Sequence, residues 1–236
     1  MKPVFVAFVA ALFAVSGTAP VEAAPRTAHA PADWTRVIEQ TPDGGIRMGN
    51  PNAKVKLVEF FSFTCPHCAV FATTAFKPLT DKYVRSGQVS FELRSALRDA
   101  LDFSVALSTR CVATKDYFGT VEDVMAGQQD WETKASDWIS AHQTELSAPD
   151  KSAAIHALMA NAGVEALIVK HGTTPAAIGK CLDDKGLQSV LEKTTNDAWN
   201  VRKIGGTPGF LINDMVQSGV YDWAALEPKI QAALKG

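Results

Sequence analysis

The sequence has no excess of basic charge: 23 Lys and Arg stand against 25 Asp and Glu, for a net charge of −2. No patch of cations interleaved with aromatics is visible, which excludes a nucleic-acid binder that works through a positive surface. Internal repeats are absent, which excludes a repeat array. The only biased tract is the short Pro/Ala-rich PRTAHAPAD. Past the first fifteen residues, no apolar run is long enough to cross a bilayer. Cysteine is scarce, with four in 236 residues. A disulfide-stapled miniature is therefore excluded, because a chain of this length, 47% apolar, buries a core without such staples. Each of the four cysteines needs a more specific explanation.

The first residues, MKPVFVAFVAALFAVSGTAPVEAA, do not read as fold. Lys2 forms a short positive start, Val4 to Val15 an uncharged apolar run, and Val21-Glu22-Ala23 a small-residue cleavage site. This is the pattern of a secretory signal peptide over residues 1–23, with Ala28-His29-Ala30 as a second cleavage site. An uncleaved anchor is the alternative; a lipid anchor is disfavoured because no cysteine lies nearby. Export would place the thiols in an oxidising compartment.

Residues 24–50 then read as a leader into the fold. A short helix or edge strand is expected at 34–40, followed by the turn-rich TPDGGIRMGNPN. Val55 to Ser62 reads as a buried strand. From Pro66 to about Tyr83 the pattern becomes helical, with Pro78 expected to kink it and Gly87 to end it. Val89 to Leu93 reads as a second, parallel strand, so residues 51–97 hold a strand–helix–strand unit. Residues 98–200 show little strand signal. Four to six helices are expected there, with starts at Asp102, Asp130 and Pro149-Asp150. Residues 201–236 return to mixed character. Pro208 to Ile212 and Met215 to Val220 form a hairpin around Asn213-Asp214, which tolerate the positive φ of a primed turn. Asp222 caps a final helix, Trp223 to Leu234, that contains Pro228.

The stretch VEFFSFTCPHC, residues 58–68, carries the chemistry. Pro66 suits a first helical position. Cys65 then lies at a helix N-terminus, where unpaired N–H groups and the helix dipole stabilise a thiolate. His67 adds to this if protonated or hydrogen-bonded toward Cys65. Cys68, nearly one turn on, can close a disulfide with Cys65. Stabilising the thiolate stabilises the reduced form and makes the disulfide a stronger oxidant. A zinc site would need further ligands at matching spacing, yet Cys111 and Cys181 are isolated and no HxxxH is present. A c-type haem would need His after Cys68, where Ala69 stands. A purely structural bridge would gain little from so short a loop.

Glu59 lies inside the buried strand, six residues before Cys65. An ionised acid there is costly, so the expectation is a carboxyl of raised pKa beneath the disulfide, exchanging a proton with Cys68. An exposed edge strand is the plainer alternative. In GGTPGF, a cis Thr207–Pro208 bond would set the Thr207 backbone beside the CxxC, ready to pair with an extended substrate. An ordinary loop proline is the alternative.

Together, the acid-bearing strand into CxxC, the second strand, and the TP-led hairpin with its final helix resemble the thioredoxin superfamily. The helical insertion and the CPHC motif resemble specifically the DsbA-type periplasmic disulfide oxidoreductases, over about residues 45–235. The resemblance implies an α/β thioredoxin fold with an inserted all-helical domain. It implies Cys65 as exposed nucleophile, Cys68 as buried resolving thiol, Pro66 and His67 tuning the pair, Glu59 assisting proton transfer, and Thr207-Pro208 as the substrate-binding cis-proline loop. The low thiol pKa belongs to this resemblance as well. It also implies a periplasmic monomer acting on reduced or unfolded exported proteins, and reoxidation by a quinone-linked membrane partner. No cofactor, metal or nucleic acid enters. Thr207 departs from the best-known oxidase, which has Val there; Thr occurs in isomerase-type relatives. A disulfide isomerase or reductase is therefore the close alternative, and a chain-binding holdase the more distant one. Cys111 and Cys181 resemble a second, non-catalytic disulfide of some relatives. Bonded, they would close a loop of about seventy residues, for on the order of 4 kcal/mol; two buried free thiols are the alternative.

Overall fold

The computed structural model describes residues 33–236, together with residues 1, 3 and 4. The expected signal peptide and both cleavage sites fall almost wholly outside the described residues. All described elements belong to one compact unit, Pro31–Gly236.

The frame is a six-stranded sheet in the order β1-β2-β4-β3-β5-β6. Its members are β1 (Ile38–Gln40), β2 (Ile46–Met48), β3 (Val55–Phe61), β4 (Val89–Ser95), β5 (Gly209–Ile212) and β6 (Met215–Val216). The VKLVEFF run of β3 sits centrally, parallel to β4 and antiparallel to β5. Only Lys56 of this strand is exposed. A strand covered on both faces reads as a continuous apolar run, as this one does. Side chains alternate between faces, so Leu57, Glu59 and Phe61 share one and Val58 and Phe60 the other. Leu57 and Phe61 join the large core cluster that contains Cys65 and Cys68, while Val58 and Phe60 pack with Ala198, Ile204 and Leu211. Glu59 therefore points to the side of the cysteines.

Helix α1 (Pro66–Leu79) lies on that side. Its aromatic face fastens it down: Phe71 meets Phe210 of β5 with centroids 4.8 Å apart, and Phe76 meets Phe91 of β4 at 5.2 Å. Pro78 brings no N–H to the helix, and α1 loosens into a wide π turn over Thr80–Val84. Gly87, at φ +79°, then turns the chain beneath Trp34, whose ring a Cβ would strike at 2.6 Å.

Among the described residues, eight α-helices, not four to six, lie between β4 and β5: α2 (Ala100–Thr109), α3 (Tyr117–Ala126), α4 (Gln128–Ala141), α5 (Gln143–Leu146), α6 (Ser152–Asn161), α7 (Val164–Val169), α8 (Pro175–Leu182) and α9 (Lys185–Asn196). The helical pattern runs on where the backbone breaks, at Gly127, His142, Gly163 and Asp184. The expected starts also shift. Asp99, not Asp102, caps α2; Asp130 lies inside α4; and α6 begins at Ser152. Cys111, just past α2, is bonded to Cys181 of α8, with Cα atoms 5.9 Å apart.

Two strands differ from expectation. β2 lies inside the turn-rich segment: three residues are too few to show alternation, and pairing with β4 makes them a strand. The returning arm of the hairpin is only β6, because Gly219, at φ +75°, turns the chain away. The turn itself is as expected, with Asn213 at φ 47° and Asp214 at φ 71°. Asp222 caps α10 (Trp223–Lys235), which accommodates Pro228. Among the described residues no helix is long and apolar enough to cross a membrane.

Candidate active site

Cys65 is the N-cap of α1, with extended backbone (φ −98°, ψ 117°), and Pro66 follows at the first helical position. The expected placement at a helix N-terminus is what the structure shows. Cys65 and Cys68 are free thiols here. Cys68 is fully buried, and Cys65 only 4% exposed, more covered than the open nucleophile the resemblance implied. The cover is the loop before β5. The Thr207–Pro208 bond is cis, and the Cys65 thiol donates to the Thr207 carbonyl at 3.1 Å. The site thus joins residues 142 positions apart in sequence.

The environment splits the two thiols. Cys65 is lowered from 9.0 to about 5. The Cys68 thiol, donating to it, is the main cause; hydrogen bonding from the Thr207 side chain and from the backbone N–H groups of Cys68 and His67 adds, against the cost of burial. Cys68 is driven upward by burial first, then by giving its hydrogen to Cys65, then by the nearby charges of Glu59 and Cys65. The pair is thus one reactive anion beside one retained proton. His67 acts in this geometry through its backbone N–H; its side chain is exposed, as is Pro66.

Glu59 is 1% exposed, and burial, reinforced by the charge of Cys65, holds its carboxyl well above the usual range. Its Oε2 has no hydrogen-bond partner among the described residues. Burial of this kind favours the protonated carboxyl over the carboxylate. It lies on the cysteine side of the sheet and is felt electrostatically by both sulfurs. Among the described residues no cluster of His, Cys, Asp and Glu could hold a metal ion. Cys111 and Cys181 are bonded within the helical block and take no part in this site.

Two residues beside the site were not assigned to it by the sequence, where Asp102 read only as a helix start. Asp102 is fully buried and accepts from the Phe63 N–H at 2.8 Å and the Arg98 N–H at 3.0 Å. Burial raises it from 3.8 to about 6. Gln128, 6% exposed, faces the same loop. The only sequence signal for either is a polar residue where a helix turns apolar, and that signal does not identify a partner.

A family model described as Thioredoxin matches residues 41–232. A candidate protein-disulfide oxidoreductase of Rickettsia bellii is 28% identical over 200 residues, covering 85% of this chain and 68% of the relative. The corresponding Rickettsia felis protein is 26% identical, with 85% and 64% covered. The chain thus spans about two thirds of the length of these relatives. Among solved structures, the protein-disulfide isomerase of Novosphingobium aromaticivorans superposes with a TM-score of 0.74 at 31% identity, covering 82% of this chain and 99% of that one. Wolbachia pipientis alpha-DsbA1 gives 0.58 at 19% identity, with 80% and 90% covered, and shares the fold.

Proposed function

From a chain that belongs to the thioredoxin family, and whose CxxC opens a helix, we propose an exported thiol–disulfide oxidoreductase. It passes its Cys65–Cys68 disulfide to cysteines of secreted proteins as they fold. The observation that carries this is the environment of Cys65, which brings its thiol to about 5. A sulfur that prefers to be an anion is a good leaving group, and a disulfide containing it is readily reduced.

A client thiolate attacks Cys65 Sγ. The client–Cys65 bond forms, the Cys65–Cys68 bond breaks, and Cys68 leaves with the electron pair. Cys68, whose surroundings favour the thiol, takes the proton of Glu59. A second client thiolate then attacks the client sulfur, completes the client disulfide and releases Cys65 as the thiolate. The client loses two electrons, and Cys65 and Cys68 gain them. Thr207, with its backbone turned toward Cys65, is the docking edge for an extended client. A quinone-linked membrane partner would take the two electrons onward, with the protein acting as a periplasmic monomer.

A second reading, disulfide isomerase, is favoured by the likeness to the protein-disulfide isomerase of Novosphingobium aromaticivorans and by Thr207. The deciding experiment equilibrates the purified protein with glutathione redox buffers. An equilibrium far toward the reduced protein is the expected result. A thioredoxin-like value would replace the oxidase with a reductase, and efficient rescue of a scrambled client by the reduced protein would favour the isomerase.

A further inference from the structure

The loop Ser62–Cys65, between β3 and α1, has few hydrogen bonds of its own. The helical block supplies several more. Phe63 N–H donates to Asp102 at 2.8 Å, the Thr64 carbonyl accepts from the Arg98 guanidinium at 2.8 Å, and the Thr64 hydroxyl donates to Asp99 at 3.0 Å. Gln128, the first residue of α4, donates from Nε2 to two carbonyls at once, that of Phe63 and, at 3.1 Å, that of Cys65. We propose that Gln128 is a positioning residue for thiol exchange: it fixes the Cys65 peptide, so that the helical block, not only the thioredoxin frame, sets how oxidising the disulfide is. The inference rests on Cys65 being the exchanging thiol.

A carboxamide this deeply buried loses its hydration, and apolar packing alone would be better served by Leu or Met. What the amide supplies is direction, since both of its protons are spent on the loop. The Cys65 carbonyl has a second donor, the Ala69 N–H at 3.2 Å, which is the first backbone bond of α1. The Cys65 N–H is held in turn by the Ser62 carbonyl at 3.2 Å. Both peptide groups flanking the Cys65 Cα are therefore pinned. Rotating the carbonyl of Cys65 would swing the following peptides and turn the His67 and Cys68 N–H groups away from the sulfur. The amide protons of Gln128 also draw on the carbonyl's partial negative charge, which would otherwise oppose a thiolate nearby.

The test compares wild type with Gln128→Leu, which keeps the volume and removes both donors, and Gln128→Glu, which replaces them with acceptors. Thiolate absorbance at 240 nm is titrated, and the equilibrium with glutathione is measured. Gln128→Leu is expected to raise the Cys65 pKa by about one unit, about a tenfold loss of thiolate preference. The glutathione equilibrium should move about tenfold in the same sense, toward a weaker oxidant. Gln128→Glu should do more at pH 7, with the excess shrinking as pH falls and the new carboxyl takes a proton it can donate. Gln129→Ala, on the exposed neighbouring position, should change neither quantity. If both Gln128 variants melt earlier in oxidised and reduced forms alike, with pKa and equilibrium unmoved, Gln128 only packs and the inference is overturned. Should Gln128→Leu not fold, Gln128→Glu decides by the same two readings. A wild-type Cys65 that titrates like free cysteine would instead overturn the oxidoreductase reading itself.

Discussion

Cys65 and Cys68 are the same side chain three positions apart, and their surroundings push them in opposite directions. For Cys65 the folded value, about 5, lies below the unfolded one near 9.0. Between these two values the unfolded state binds the extra proton, so the stability of the reduced protein rises with pH across that window. The contribution is complete above the unfolded value and is lost as pH falls through about 5. The oxidised protein has no such thiol. The reduced form should therefore melt well above the oxidised form at pH 7, and scanning calorimetry should find most of that gap gone by pH 4. Glu59 titrates in the opposite sense: raised above 4.5, it detracts from stability as pH climbs past its unfolded value. Glu59→Gln keeps the shape and has no proton to transfer. Stopped-flow fluorescence should show exchange with a dithiol peptide slowed by about 100-fold, while stability at pH 7 rises. Cys65, Cys68 and Glu59 were legible in the sequence because one contiguous stretch holds all three, with the spacing of a strand entering a helix. Asp102 and Gln128 were not, because nothing local marks positions 102 and 128 as partners of Phe63.

Among the elements, legibility followed length. β3, β4, α1 and α10 each run long enough for their periodicity to show, and each is where the pattern put it. β2 and β6 have three and two residues, and pairing with a neighbour defines them. The helical block was legible as helical, but its breaks depend on backbone conformation, as at Gly163 with φ 84°. α2 owes its start to Asp99, whose side chain accepts from the Asp102 N–H at 2.8 Å and also receives the Thr64 hydroxyl. Asp99→Ala should therefore cost about 1–2 kcal/mol in urea unfolding, at the upper end for a lost cap. The fold should survive, because the apolar face of α2, with Val105, Ala106 and Leu107, is untouched.

For the molecule as a whole, the Cys111–Cys181 bridge spans 70 residues of the helical block. In the chain-entropy picture a loop of that size is worth about 4 kcal/mol, by restricting the unfolded chain. Cys111→Ser with Cys181→Ser should lower the stability by that order in guanidinium titration. The Cys65 pKa should stay in place, because the hydrogen bonds of the two bridge cysteines, to Ala177, Ser108 and Asp184, all stay within the helical block. The thioredoxin frame was legible from its two ends, residues 55–95 and 207–234. The folding of the middle back against the loop before α1 was not, since contacts over such separations leave no period to read.

The outermost strands, β1 and β6, offer three and two residues of sheet edge. In the proposed role, the molecule meets chains that have not yet folded and whose own backbone groups are still seeking partners. A longer, flatter margin would let such a chain add itself as a further strand and seed a growing stack. With margins this brief, the described sheet offers a client little to grip, so the proposed docking edge beside Cys65 holds it only until its sulfurs are joined.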